Sequence, residues 1–277
     1  MSKRQKIVVA TFVLLAGIVF SRAGMGTFLQ WRFRVPVFAL VTILSTLWAL
    51  KDEDFSGVEW LTLPILPSMF AIASLLVFPL LPAGFDNIFS LAVSSDTSQL
   101  LSAGVRLFFL AVFVVGYYAS ILSANIFNIA AIRNIQLLRV AHSIGFLVTV
   151  VTALLFYLVL FSLHLSGFLN FFLVMLVSGP LIFQAIWSTK LEAKIENRVV
   201  TYSLGATIIL GEIAWVLSFC PISITIMALF LTAIFYEMVG IVQYYFDERL
   251  NRKVAYEFVF VAIAVFLIAI FSAQWGA

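Results

Sequence analysis

Leu107-Phe108-Phe109-Leu110-Ala111-Val112-Phe113-Val114-Val115 and, further on, Phe171-Phe172-Leu173-Val174-Met175-Leu176-Val177 carry no polar side chain at any position. A half-buried strand alternates apolar and polar residues, and an amphipathic helix returns an apolar residue every third or fourth position. Neither pattern is present. Runs that are apolar on every face belong in a medium that is itself apolar. Hydrocarbon offers no water to backbone groups, so segments crossing it close their hydrogen bonds internally, as helices. A membrane β-barrel would instead show alternating segments of about ten residues.

Outward from these two runs, nine apolar segments fill most of the 277 residues: 7–20, 35–50, 61–82, 107–132, 140–163, 168–188, 199–219, 221–246 and 256–274. A spanning helix takes about 20 apolar residues, so the first two are short. Only 10% of the residues are charged, against about 25% in a soluble domain, and the mean hydropathy is +1.15. The connections are short, the longest being 83–106, and none is large enough for a soluble domain. The expectation is an all-α, polytopic transmembrane helix bundle, a single integral membrane domain over 1–277 with about nine spans.

Lys and Arg favour the cytoplasmic side of such proteins. With nine crossings and the N-terminus inside, twelve of the sixteen basic residues fall inside. If segment 7–20 does not cross, the split becomes seven against nine and the bias vanishes. The reading is therefore N-in and C-out, in the plasma (inner) membrane. Residues 1–20, basic then apolar, also have the form of a cleaved signal, which would leave eight spans with unchanged orientation. Arg22, Arg32 and Arg34, interleaved with Phe28, Trp31 and Phe33, read as an anchor in the headgroup layer. Within 83–106, the moderately apolar stretch 88–93 reads as a short amphipathic helix on the outer surface.

Two acids stand well inside apolar segments, Glu212 and Glu237. A carboxyl at depth is costly when ionised and is commonly protonated, paired or facing water. Glu212, Gly205 and Arg198 recur at sevens on one narrow face, where the glycine would admit a neighbouring helix. Both acids are candidate proton- or substrate-binding groups, but they differ in depth by about 13 Å and cannot share one proton. Ser178-Gly179-Pro180 should kink or unwind segment 168–188, which makes Ser178 and Gln184 further candidates. In 117–143, Tyr118, Asn125, Asn128, Gln136, Arg139 and Ser143 share one helical face, with Arg133-Asn134 a stop signal. Asn125 and Asn128 are candidates for hydrogen bonding to a substrate or to a neighbouring helix. Arg133, Arg139 and His142 are candidates for anionic lipid headgroups at the inner mouth. The prolines of segment 61–82 (Pro64, Pro67, Pro79, Pro82) should set its entry and exit angles.

His142 and His164 lie about 33 Å apart along one helix, too far to share a metal. Cys220 reads as a small residue in the turn between segments 199–219 and 221–246. No zinc-protease, phosphate-loop or nucleophile-elbow motif is present, no metal or cofactor is expected, and no basic patch suits nucleic acid. The stretch Ser123-Ala-Asn-Ile-Phe-Asn-Ile-Ala-Ala-Ile-Arg-Asn-Ile-Gln-Leu-Leu-Arg-Val-Ala-His-Ser-Ile-Gly145 resembles an uncharacterised family of bacterial polytopic membrane proteins; the resemblance implies membership and no activity. Three functions fit the residues: a small-molecule or ion-coupled transporter, an accessory subunit of a membrane complex with a protein partner, and a lipid-handling enzyme at the inner mouth. The bilayer itself is the one partner that composition names outright.

Overall fold

The structure, a computed structural model, describes residues 3–22, 28–51, 59–81, 95–130, 137–191 and 195–272. Its elements are α1 (Lys3–Arg22), α2 (Phe28–Leu50), the single turn α3 (Glu59–Thr62), α4 (Ile65–Val77) with a 3-10 turn at Phe78–Leu80, α5 (Ser95–Ala130), α6 (Leu138–Ser162), α7 (Gly167–Lys190), α8 (Asn197–Leu217), α9 (Ile224–Phe246) and α10 (Arg252–Ser272). No strand occurs among the described residues. Among the described residues, seven helical stretches are long and apolar enough to cross a membrane: Glu59–Leu80, Leu101–Ile129 within α5, and α6 to α10. The chain thus has the build of a multi-pass helical membrane protein. The other two apolar segments lie in α1, whose first turn carries Lys3, Arg4 and Lys6, and in α2, where Val35–Leu50 is a shorter apolar helix.

The prolines of the third segment act where the ring is tolerated. Pro64 separates α3 from α4 and Pro67 stands in the first turn of α4, where its missing N–H costs nothing. Pro79 sits in the 3-10 turn that ends the stretch, and Pro82 lies outside the described residues. At Pro180 the unwinding named among the expectations does not occur. Helix α7 runs unbroken from Gly167 to Lys190 with Pro180 inside it. One lost N–H per proline is a small defect when the rest of the ladder is closed and the surroundings are packed.

Two boundaries also moved. Half of the segment expected as an outer loop is helical, because α5 begins at Ser95 and runs 36 residues, about 54 Å. Ser95 and Asp96 are residue types that start helices. The proposed surface helix at 88–93 lies outside the described residues, as does the Arg133-Asn134 stop. Because α5 closes at Ala130 and α6 opens at Leu138, the polar face read across 117–143 belongs to two helices. At the N-terminal side, α2 already begins at Phe28, so the aromatic–arginine run continues the helix; the side chains of Arg22, Arg32 and Arg34 fall outside the described set.

Helix α6 is the centre of the bundle, packed against α4, α5, α7 and α9. The most extensive pairing is α7 with α8. Its close approach needs Gly211, where an added Cβ would stand 2.8 Å from Met175 Cγ and 3.0 Å from a Phe171 ring carbon. Helix α10 is peripheral: it packs on α9 and buries only Phe258 and Ala269.

Candidate functional site

At the end of the bundle where α6 begins and α7 and α9 finish, a cavity of about 960 Å³ opens between α6, α9 and α10. Helix α6 contributes Arg139, His142 and Ser143, α7 contributes Thr189, and α9 contributes Tyr236, Gln243 and Tyr244. Asp247 and Arg249 enter from the turn that closes α9, and Phe258 of α10 forms the far wall. Two of these polar side chains are already engaged with α7. His142 Nε2 lies 2.6 Å from the Ser188 carbonyl oxygen; a carbonyl only accepts, so Nε2 carries the proton. The imidazole also rests against Phe127, with ring centres 5.2 Å apart. Gln243 donates from Nε2 to the Ala185 carbonyl at 2.9 Å. Arg139 and Arg249 have no ion-pair partner among the described residues, and Asp247 is the single acid in the wall. The lining carries a positive excess.

The turn that delivers Arg249 is specified by backbone bonds. Arg249 N–H donates to the Tyr244 carbonyl at 3.0 Å and Glu248 N–H to the Tyr245 carbonyl at 3.1 Å. This is the Schellman arrangement, with the residue after the cap left-handed. That residue is Glu248, at φ 57°, where glycine is the usual occupant. Next along the chain, Asn251 Oδ1 accepts from Val254 N–H at 3.0 Å and caps the start of α10.

Of the residues singled out from sequence, Arg139 and His142 meet here, with Ser143 beside them. The others do not line this cavity. Arg133 and Gln136 are outside the described residues. Asn125 is half-buried and Asn128 buried on α5, each with an Oδ1 that finds no hydrogen-bond donor among the described residues. Gln184 and Glu237 are buried with unpartnered Oε1 atoms. Such acceptors are rare in proteins and ask for a donor, whether water, a proton or a ligand. Ser178 is buried, and its Oγ lies 2.7 Å from the Tyr157 hydroxyl, joining α7 to α6. Glu212 is exposed, and it is the sixteenth residue of the 21-residue α8, midway between the centre of the helix and its last residue. Gly205 on the same face meets nothing within 4 Å, so the helix contact expected there is not made among the described residues; the close approach is made by Gly211, about 120° away around the helix. No hydrogen bond connects Glu212 and Glu237. No group of three or more His, Cys, Asp or Glu able to hold a metal occurs among the described residues.

Sequence reading missed Thr189, Gln243, Tyr244, Asp247 and Arg249. Each lies in a last helical turn or just past one. A polar residue there reads as ordinary solvent contact until the neighbouring helix ends are seen to converge.

Residues 150–272 match a family model described as Protein of unknown function (DUF5656). That segment runs from within α6 to the end of α10. It contains Ser178, Gln184, Glu212 and Glu237, the Gln243–Arg249 half of the cavity wall and Phe258. It fits the expectation of an uncharacterised family, although the stretch 123–145 that carried the resemblance lies before it, along with Arg139 and His142. No curated protein and no solved structure matches the chain.

Proposed function

We propose that the chain is a nine-span inner-membrane carrier, N-in and C-out, whose ligand is an organic anion or anionic amphiphile received in the Arg139–Arg249 cavity. The observation that carries this reading is that Arg139 and Arg249, neither with an ion-pair partner among the described residues, both line one large, partly apolar cavity. Arginine presents several donors in a rigid fork suited to carboxylate and phosphate, and Tyr236, Tyr244 and Phe258 offer an apolar wall for the rest of the molecule. The cavity volume is of the size that small-molecule sites occupy, about 300–1,000 Å³. Under the nine-span topology this cavity opens to the cytoplasm, where juxtamembrane basic residues also meet anionic lipid. Glu237, next to Tyr236 and buried with an unpartnered oxygen, is the group placed to couple a proton to ligand movement.

The test is native mass spectrometry of protein released from phosphatidylglycerol nanodiscs. The wild-type chain should retain an anionic molecule that Arg139→Gln/Arg249→Gln loses; equal retention by both would remove the reading. Glu237→Gln should keep binding and lose pH-linked flux in liposomes.

A second reading, an accessory subunit, is supported by how many polar side chains tie helices together. Tyr157 with Ser178, Thr46 with Tyr117, Asn170 with Ser218, His142 with Ser188 and Gln243 with Ala185 all bridge elements. Recovery of a stoichiometric protein partner in mild detergent, with no retained anion, would favour it.

A further inference from the structure

At the opposite end of the bundle from the Arg139 cavity, a second groove of about 610 Å³ lies between α8, α9 and α10. Its walls are Ile213 and Val216 from α8, Phe230 and Ile234 from α9, and Phe266 and Ile270 from α10. Into this apolar surface projects one charged group, Glu212, about 8 Å along the axis from the end of α8. Among the described residues no hydrogen bond or ion pair reaches Glu212, and no Lys, Arg or His lines the groove. The rings of Phe230 and Phe266, with centres 6.4 Å apart, stand in the same wall.

We infer that this groove is a lateral binding site for a lipophilic monocation, an ammonium or phosphonium centre on an apolar body, held by Glu212. A carboxyl group without a partner on an apolar membrane-protein surface is costly when ionised, and a bound cation offsets that cost. The ring faces add attraction for the same sign of charge. The volume suits a small molecule, and the apolar walls receive its body. An anion of the same shape meets repulsion from Glu212 and finds no compensating donor.

Cys220, the chain's single cysteine, is part of the groove lining and is half-exposed, so the native thiol reports on occupancy. The experiment follows maleimide labelling of Cys220 in phosphatidylglycerol nanodiscs with tetraphenylphosphonium or its anionic isostere tetraphenylborate added. Tetraphenylphosphonium should slow labelling of the wild type, with an apparent affinity about tenfold tighter than for Glu212→Gln, or roughly 1.4 kcal/mol. Glu212→Asp should retain protection, and tetraphenylborate should give none. Equal protection of wild type and Glu212→Gln, or protection by tetraphenylborate, would overturn the inference by showing that shape alone is read. A Cys220–Cys220 cross-linked dimer would overturn it too, since a second copy would then cover the groove. Protection without added cation in phosphatidylethanolamine nanodiscs, lost in Glu212→Gln, would support it and identify the occupant as a lipid amine. Glu212→Gln leaves Arg139 and Arg249 in place, so anion retention at the other end controls for folding and is scored separately.

Discussion

The Tyr157 hydroxyl and Ser178 Oγ are 2.7 Å apart in the interior of the bundle, with both side chains fully buried. The bond joins α6 to α7 two residues before Pro180, where α7 lacks one of its own backbone bonds. Ser178 is therefore committed to holding two helices together, and the serine–glycine–proline stretch acts as a packing element. Tyr157→Phe and Ser178→Ala should each destabilise the protein by about 0.6 kcal/mol, at most about 1.7. The double variant should cost little more than either single one, because both remove the same bond. Unfolding in detergent, read as a double-mutant cycle, measures this. Additive losses would mean that the two hydroxyls have other partners.

Two glycines on different faces should respond in opposite directions to one methyl group. At Gly116 on α5 an added Cβ would stand 2.5 Å from Phe70 Cζ. Phe70 is buried and stacked on Phe113 with centres 6.0 Å apart, so it has little room to yield. Gly116→Ala should cost about 1–3 kcal/mol, the usual range for overpacking. At Gly205 on α8 the methyl meets nothing within 4 Å, and Gly205→Ala should gain about 0.5–1 kcal/mol from helix propensity. Thermal unfolding of the two variants side by side gives the signs.

Glu248 holds a left-handed conformation at φ 57° while closing the end of α9. An L side chain pays about 1–2 kcal/mol there, and glycine does not. Glu248→Gly should therefore raise stability by about 1 kcal/mol. It should leave Arg249 in place, because the Arg249-to-Tyr244 and Glu248-to-Tyr245 bonds are made by the backbone. A lower melting temperature in Glu248→Gly would contradict this account of the turn.

What the sequence told correctly and what it hid have one physical cause. Length and hydropathy are properties of a segment, and each of the nine apolar segments is mainly helical over its described residues. Which face of a segment points inward is read from the alternation of apolar and polar residues, and the two deciding runs have none. Hence Glu212 and Glu237, both simply acids at depth in the sequence, part company in the structure: Glu237 is buried, while Glu212 faces outward into a groove. For the same reason Gly205 promised the helix contact that Gly211 makes. The cavity was half visible. Arg139, His142 and Ser143 stood out as a polar cluster on one helix turn, whereas Gln243, Asp247 and Arg249 join them only because α9 runs antiparallel to α6 and ends at the same level.

Gln243 provides the sharpest test of that convergence. Its Nε2 donates to Ala185 O at 2.9 Å while its side chain lines the cavity. A few residues on, His142 donates to Ser188 O at 2.6 Å, so both bonds pin the last turns of α7 against α6 and α9. Gln243→Leu removes the donor and keeps the bulk; it should cost about 0.6 kcal/mol and speed amide exchange at the end of α7, where stability is local. Gln243→Glu should do more harm. An ionised carboxylate cannot donate to the Ala185 carbonyl, and it adds a second negative charge near Asp247, in the cavity that Arg139 and Arg249 make positive. Hydrogen–deuterium exchange over residues 185–191 should therefore rise more in Gln243→Glu than in Gln243→Leu, and only the glutamate variant should lose the retained anion in native mass spectrometry. Identical behaviour of the two variants would mean that charge at this position is not felt by the ligand, and the anion reading of the cavity would fall with it.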